Sequence, residues 1–142
     1  MEDIASFKIN HNKMVPGFYC IGESNGVYTY DLRFKKPNAG DYIPQAALHS
    51  IEHMVATVAR NSDIQDKVVY FGPMGCRTGF YLLLFGVEPE EALSWTKRWI
   101  SQAVQLAKVP GTSPKQCGNA EEHDYHGAVR ALYAYGQVLS TL

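Results

Sequence analysis

The sharpest chemical signal in this sequence is a pair of histidines four positions apart, in His49-Ser50-Ile51-Glu52-His53. On an α-helix each residue advances about 100°, so His49 and His53 lie about 40° apart on one face, with Glu52 about 60° from His49. Two imidazoles at this spacing can chelate one divalent ion, and a carboxylate beside them can transfer protons. The pattern predicts a metal site, with two unrelated histidines on a polar helix face as the alternative.

A two-histidine site needs at least a third protein ligand, which the cysteines and the remaining histidines and acids could supply. Cys117 stands out because Gly118 follows it and because His123 and Asp124 form a second polar cluster nearby. Its alternative role is that of a small buried hydrophobic side chain. Cys76 lies in a glycine-rich loop, where a nearby cation would favour the reactive thiolate, and a structural loop cysteine is the alternative.

Six segments show the periodicity or β propensity of regular structure and must position these residues. They are strands over 27–34, 67–71 and 80–85, and helices over 45–61, 89 to about 108, and about 124 to 139. Because strands and helices do not alternate as in βαβ units, we predict an α+β fold. We expect one domain over residues 1–142, with an antiparallel sheet packed against helices and the metal site on the first long helix.

The composition is that of an ordinary soluble globular protein, with 142 residues, 46% hydrophobic and 19% charged. Thirteen basic and 14 acidic residues give a net charge of −1, which offers no reason to expect nucleic acid or a membrane surface as partner. No apolar segment has the pattern of a secretory signal or the length of a membrane span. Three cysteines argue against a disulfide framework, so we expect a cytoplasmic protein with reduced thiols.

Three blocks of the sequence, taken in order and with their spacing, resemble the S-ribosylhomocysteine lyase (LuxS) family. They are the block from His49 to His53, Pro73-Met74-Gly75-Cys76-Arg77-Thr78-Gly79-Phe80-Tyr81, and Gln116-Cys117-Gly118-Asn119-Ala120 with His123-Asp124. The second block is far more specific than the histidine spacing. Further matches at Ser6-Phe7, His11-Asn12 and Asp31-Leu32-Arg33-Phe34 extend the resemblance over nearly the whole chain.

The resemblance implies a metal-dependent carbon–sulfur lyase that cleaves the thioether of S-ribosylhomocysteine. The products would be homocysteine and 4,5-dihydroxy-2,3-pentanedione, the precursor of the autoinducer-two quorum signal. Such an enzyme is thought to move the sugar carbonyl from C1 to C3 and then eliminate homocysteine, which requires a Lewis acid and acid–base groups. The resemblance implies one divalent metal per subunit, Fe(II) first and Zn(II) or Co(II) as substitutes. His49, His53 and Cys117 would hold it, with water or substrate completing a tetrahedral site.

The resemblance also implies roles for residues outside the metal site. Glu52 and Cys76 match the two proton-transfer residues of the family, and Arg33 matches an arginine whose charge favours the thiolate. Ser6 and His11 match residues that the partner subunit of a homodimer lends to the site, so the sites would lie at the interface.

A substrate-binding role is implied for Arg60, which matches an arginine at the end of the metal helix that helps hold the homocysteine end. The chain also departs from the family in three places. It lacks residues between Cys20 and Val27, and Ser50 replaces a threonine while keeping the hydroxyl. Tyr70-Phe71-Gly72 stands where the family carries an aspartate and a serine, the aspartate being associated with the amino-acid end of the substrate.

Two other functions are compatible with parts of the sequence. An inverted-zincin peptidase would use the two histidines and Glu52 with Glu121 or Glu122 as third ligand, but it gives no role to Cys76 or Cys117. A binding module with a structural metal, or a catalytically degenerate homologue with a regulatory role, would have a closed site with four ligands. The sequence presents only three convincing ligands.

Overall fold

The aromatic and β-branched segments form one antiparallel sheet in the computed structural model, which describes all 142 residues. The strands lie in the order β1-β2-β4-β3 and span Gly17–Ser24 (β1), Val27–Arg33 (β2), Val68–Pro73 (β3) and Gly79–Phe85 (β4). The three predicted strands are confirmed to within two residues at their ends. Strand β1 was not predicted, because its glycines and a bulge between Cys20 and Gly22 interrupt the alternation of side chains.

The three predicted helices are confirmed as α1 (Gln45–Arg60), α2 (Pro89–Val104) and α3 (Tyr125–Leu139), and short 3₁₀ turns occur at Ala5–Phe7, His11–Lys13 and Gln65–Lys67. The predicted end of α2 near Lys108 is wrong. Backbone N–H groups of residues 105 and 106 turn back to carbonyls three positions earlier, and the Leu106 carbonyl accepts a hydrogen bond from the Tyr125 hydroxyl at 2.6 Å. None of the helices has the length and apolar character needed to cross a bilayer.

A hydrophobic core between the sheet and the helices decides which side of α1 faces outward. Leu32 and Leu82 of the two central strands join Ile51 and Met54 of α1 in this core, each at most 1% exposed. Each such side chain stabilises the fold by about 1.5–3 kcal/mol when buried. The remaining flank of α1 carries the half-buried histidines and the glutamate of the His49–His53 block. The predicted α+β class, with an antiparallel sheet against helices, is confirmed.

The start of α3 is tied to α1 by a short network that also holds the preceding loop. The Asp124 side chain caps α3 by accepting a hydrogen bond from the Gly127 N–H at 2.9 Å. The Asp124 N–H in turn donates to Ser50 Oγ of α1, also at 2.9 Å. A side chain at residue 127 would collide with the Asp124 carboxylate, which explains the glycine there. These contacts bring the loop over residues 105–124 alongside the outward flank of α1.

Candidate metal centre and active site

Four side chains of types able to bind a metal converge on the outward flank of α1: His49, His53, Cys117 and His123. Their donor atoms all lie within 4.8 Å of one another. Cys117 Sγ lies 3.5 Å from His49 Nε2, 3.8 Å from His53 Nε2 and 3.6 Å from His123 Nε2. Nitrogen and sulfur ligands of one tetrahedral ion, bonded at about 2.0 and 2.3 Å, lie about 3.5 Å apart, so the spacing fits metal coordination. Imidazole and thiolate donors suit iron, cobalt or zinc rather than calcium or magnesium.

The loop that carries Cys117 also orients the two histidines of α1. His49 Nδ1 donates to the Glu122 carbonyl and His53 Nδ1 donates to the Pro110 carbonyl, each at 2.9 Å. A carbonyl only accepts hydrogen bonds, so both Nδ1 atoms carry the proton and both Nε2 atoms keep a lone pair directed at the cluster. This is the tautomer that a metal ligand needs, and such outer hydrogen bonds usually hold metal-binding histidines in place.

His123 is a fourth donor that the sequence did not reveal as part of the cluster. Its ring stacks on that of His49, with centroids 4.0 Å apart, and meets the ring of His53 edge-on at 4.8 Å. Burial, and then the neighbouring His49 and His53, lower the pKa of His123 below its usual 6.5, so the imidazole is neutral near pH 7. The predicted set of His49, His53 and Cys117 is present at metal-ligand spacing, and His123 lies beside it. The spacing of six residues between Cys117 and His123 was the available signal.

The other two predicted residues of α1 differ in their distance from this cluster. Glu52 is half-buried on the same flank, and its carboxylate makes no hydrogen bond or ion pair within the chain. It is therefore free to exchange a proton with a bound molecule. Arg60 is exposed at the end of α1, about 12 Å of helix rise beyond Glu52, and donates to the Val68 carbonyl at 3.5 Å. The structure does not bring Arg60 to the metal cluster.

A second polar cluster surrounds Cys76 at the end of the sheet. Arg33 is 1% exposed, and its Nε and Nη2 atoms donate to the fully buried Asp31 carboxylate at 3.1 and 2.5 Å. Burial raises the pKa of Asp31, against the opposing effect of the Arg33 guanidinium. Arg33 Nη1 donates to Thr78 Oγ1 at 2.7 Å and lies 4.0 Å from Cys76 Sγ. Thr78 Oγ1 itself lies 3.0 Å from the exposed Cys76 thiol, so Arg33 and Thr78 together orient the sulfur.

The residues expected from the partner subunit lie in two different places. His11 and Cys76 line the same cavity of about 320 Å³, together with Tyr42. Ser6 lies in a shallow apolar groove on the outer face of the sheet, which Tyr70 and Leu83 also line. No hydrogen bond joins the Cys76 cluster to the metal cluster. Within one chain, the predicted catalytic residues thus form two separate groups, one on the sheet and one on α1.

The comparisons with known proteins agree with this geometry. The family model described as "S-Ribosylhomocysteinase (LuxS)" matches residues 4–139. The chain belongs to the LuxS family. An S-ribosylhomocysteine lyase of Borreliella burgdorferi (strain ZS7) is 42% identical over 149 aligned positions, covering 100% of this chain and 95% of the relative. One from Clostridium beijerinckii is 43% identical over 126 positions, covering 84% and 79%. One from Phocaeicola vulgatus is 43% identical over 135 positions, covering 87% and 81%.

Membership of the LuxS family disfavours the alternative functions, and the donor set further disfavours the peptidase. The donors that join the two histidines are Cys117 and His123, whereas the side chains of Glu121 and Glu122 are absent from the cluster. Glu122 contributes only its backbone carbonyl, to His49. An inverted-zincin peptidase therefore lacks its acidic third ligand here.

Proposed function

We propose that this protein cleaves the thioether of S-ribosylhomocysteine to homocysteine and 4,5-dihydroxy-2,3-pentanedione. One observation carries the proposal: a chain related over its full length to S-ribosylhomocysteine lyases keeps a cluster of His49, His53 and Cys117 at metal-ligand spacing. Fe(II) is the metal proposed first, with Zn(II) or Co(II) able to replace it. We propose the cytoplasm as its location, because the free thiols of Cys76 and Cys117 stay reduced there.

The chemistry requires proton transfers next to a carbonyl, because a thioether leaves readily only when a carbonyl lies β to it. His49, His53 and Cys117 would hold a divalent metal, which would supply the Lewis acid for the sugar oxygens. Glu52, with an unpaired carboxylate beside the cluster, removes and returns protons on one side of the sugar. The exposed Cys76 thiol, oriented by Thr78, exchanges protons on the other. Arg60 remains our proposal for holding the amino-acid end of the substrate.

We further propose that the active form is a homodimer with its sites at the interface. Support comes from the outer face of the sheet, where the apolar groove lined by Ile4, Ile21 and Leu83 is open to solvent. Support also comes from the separation of the Cys76 cavity from the metal cluster within one chain. A two-fold interface that places the cavity of one subunit over the metal cluster of its partner assembles a complete site.

The cavity refines which residues each subunit contributes. His11 and Cys76 line the same cavity, so a subunit that lends His11 to its partner's metal site lends Cys76 with it. Ser6 would be lent from the same N-terminal segment. We therefore propose that Glu52 and Cys76 of one active site belong to different subunits.

Turnover is tested first by supplying S-ribosylhomocysteine and measuring thiol release with a thiol reagent. If the wild-type protein released no thiol when loaded with Fe(II), Co(II) or Zn(II), the proposed reaction would be refuted. The shared site is then tested by mixing inactive variants under conditions that exchange subunits. An equal mixture of Glu52→Ala and Cys76→Ala should recover about one quarter of wild-type turnover, since half the dimers are hybrids with one intact site.

The matched control mixes His11→Ala with Cys76→Ala. Both changes fall on the same contributing surface, so every hybrid site has one defect and no activity should return. Recovery in this control, or no recovery in the mixture of Glu52→Ala with Cys76→Ala, would refute the proposed division between subunits. Full activity in a sedimenting monomer would refute the dimer itself.

A further inference from the structure

The fourth donor of the metal cluster, His123, decides whether the site proposed above is open or closed. Four protein ligands would close a tetrahedral site, whereas a catalytic metal keeps a position for substrate or water. Distance does not separate the two cases, because His123 Nε2 lies 3.6 Å from Cys117 Sγ and the two ligating histidines lie at 3.5 and 3.8 Å. The position of the proton on the His123 ring does separate them.

Ser50 fixes the position of that proton. The Ser50 side chain is fully buried, and Oγ makes two hydrogen-bonding contacts, with the Asp124 N–H at 2.9 Å and with His123 Nδ1 at 3.0 Å. The amide can only donate, so one of these contacts uses a lone pair of the hydroxyl. The hydroxyl hydrogen is left with His123 Nδ1 as its acceptor, because buried polar hydrogens are almost always paired. A neutral imidazole that accepts at Nδ1 carries its own proton on Nε2.

His123 thus has the opposite tautomer to the two histidines of α1. The Nδ1 atoms of His49 and His53 face carbonyls, which leave Nε2 with a free lone pair. The Nδ1 atom of His123 faces a hydroxyl, which leaves an N–H at Nε2, directed at Cys117 Sγ. We propose that His123 donates a hydrogen bond to the Cys117 sulfur instead of binding the metal, and that Ser50 holds it in this role.

This inference rests on the proposed lyase function, and for that function the hydrogen bond has two chemical consequences. A hydrogen bond to the thiolate withdraws charge from the sulfur, which leaves the metal a stronger Lewis acid. A protonated Nε2 also cannot fill the fourth coordination position, so that position stays available to substrate. The residue needed at position 50 is therefore one with a hydroxyl, which serine provides on the buried side of α1. His123 and Ser50 are positioning residues in this scheme.

Nitrogen-15 NMR of the histidine rings in the zinc-loaded protein reads the tautomers directly. We expect His49 and His53 to show a metal-bound Nε2 and a protonated Nδ1, and His123 to show a protonated Nε2 and an unprotonated Nδ1. Signals are assigned by single substitutions, with the exposed His126→Gln as the control that leaves the cluster unchanged. A metal-bound His123 Nε2 would overturn the proposal. This measurement uses the unmodified cluster and does not depend on turnover.

Cobalt-loaded variants give a second, independent test. His123→Ala should keep one equivalent of Co(II), with affinity weaker by about 10–100-fold, as for loss of an outer hydrogen bond. Its thiolate-to-cobalt absorption band should move to longer wavelength, because the sulfur loses a hydrogen bond. His49→Ala should instead lose most of the metal. Loss of metal from His123→Ala equal to that from His49→Ala would refute the proposal, as would an unmoved band.

The hydroxyl is tested with a conservative pair at position 50. Ser50→Thr should keep the wild-type band and the His123 tautomer, whereas Ser50→Ala should change both. Equal spectra for Ser50→Ala and wild type would remove Ser50 from the scheme. If S-ribosylhomocysteine were not a substrate, the spectra would still report on His123, so failure of the reaction and failure of this proposal are distinguishable.

Discussion

Removal of the Asp31 carboxylate should destabilise the fold strongly, because it leaves a buried guanidinium without a counter-charge. Arg33 is 1% exposed and gives two of its N–H groups to Asp31. Breaking a buried pair on one side costs about 3–5 kcal/mol. This loss is a large fraction of the free energy of unfolding of a protein of this size, which is about 5–15 kcal/mol. Asp31→Ala should therefore lower the thermal midpoint by about 10–20 °C.

The size of the effect is checked by urea unfolding at pH 7, followed by tryptophan fluorescence. The matched control is the exposed pair of Lys35 and Asp41, 3.1 Å apart, in which the Asp41 side chain is 72% exposed. Asp41→Ala should cost below about 1 kcal/mol, because an exposed pair is screened by water. A loss below about 1 kcal/mol in Asp31→Ala as well would refute the inferred cost of the buried charge.

The cost of an unpaired buried charge can also be tested by replacing Asp31 and Arg33 together. The double variant Asp31→Leu with Arg33→Met removes both charges and fills most of the volume, so it should recover most of the stability lost in Asp31→Ala. Its turnover should remain low, since the guanidinium that lies 4.0 Å from Cys76 Sγ is gone. A double variant as unstable as Asp31→Ala would show that lost packing, and not an unpaired charge, explains the single change.

Three further predictions concern the metal, the proton transfers and the sheet. Cys117→Ala should lose most of the bound metal, and stoichiometric metal by elemental analysis would contradict the ligand assignment. Glu52→Gln and Cys76→Ser should fold and keep metal but lose about 10²–10⁴-fold in turnover, and near-normal turnover with metal intact would return that residue to a structural role. Gly79→Ala should lower the free energy of unfolding by about 1–3 kcal/mol, because the added Cβ would collide with a backbone carbonyl of β2. Gly22→Ala is the control, since a Cβ at that position meets no other atom. Equal losses for the two variants in urea unfolding would refute this prediction.

Features that depend on short spacing along the chain could be predicted from the sequence. The helical period of α1 put His49, Glu52 and His53 on one flank, because residues three and four apart share a helix face whatever the helix packs against. The resemblance to the family came from three short blocks in order and spacing, of which the block around Cys76 is the most specific. The antiparallel α+β class followed from segments whose periodicity is also local.

Regular structure was harder to predict where a contact from elsewhere in the chain decides it. Strand β1 exists because β2 pairs with it across a bulge, although its own pattern is irregular. Helix α2 ends early because a tight last turn closes it and because the Tyr125 hydroxyl binds the Leu106 carbonyl from 19 residues away. Local propensity carries no information about either partner.

The way in which the chemical groups combine depends on contacts between distant parts of the chain. His49 and Cys117 are 68 positions apart, and their meeting depends on the packing of the loop over residues 105–124 against α1. The same packing sets the fully buried Ser50 hydroxyl against His123, which turns a possible fourth ligand into a hydrogen-bond donor. Cys76 lies in the loop between β3 and β4, and its side-chain contacts are with Arg33 and Thr78, not with the metal cluster. The sequence gives the type of each side chain, but its tautomer, its neighbours and its exposure to solvent depend on the packed fold.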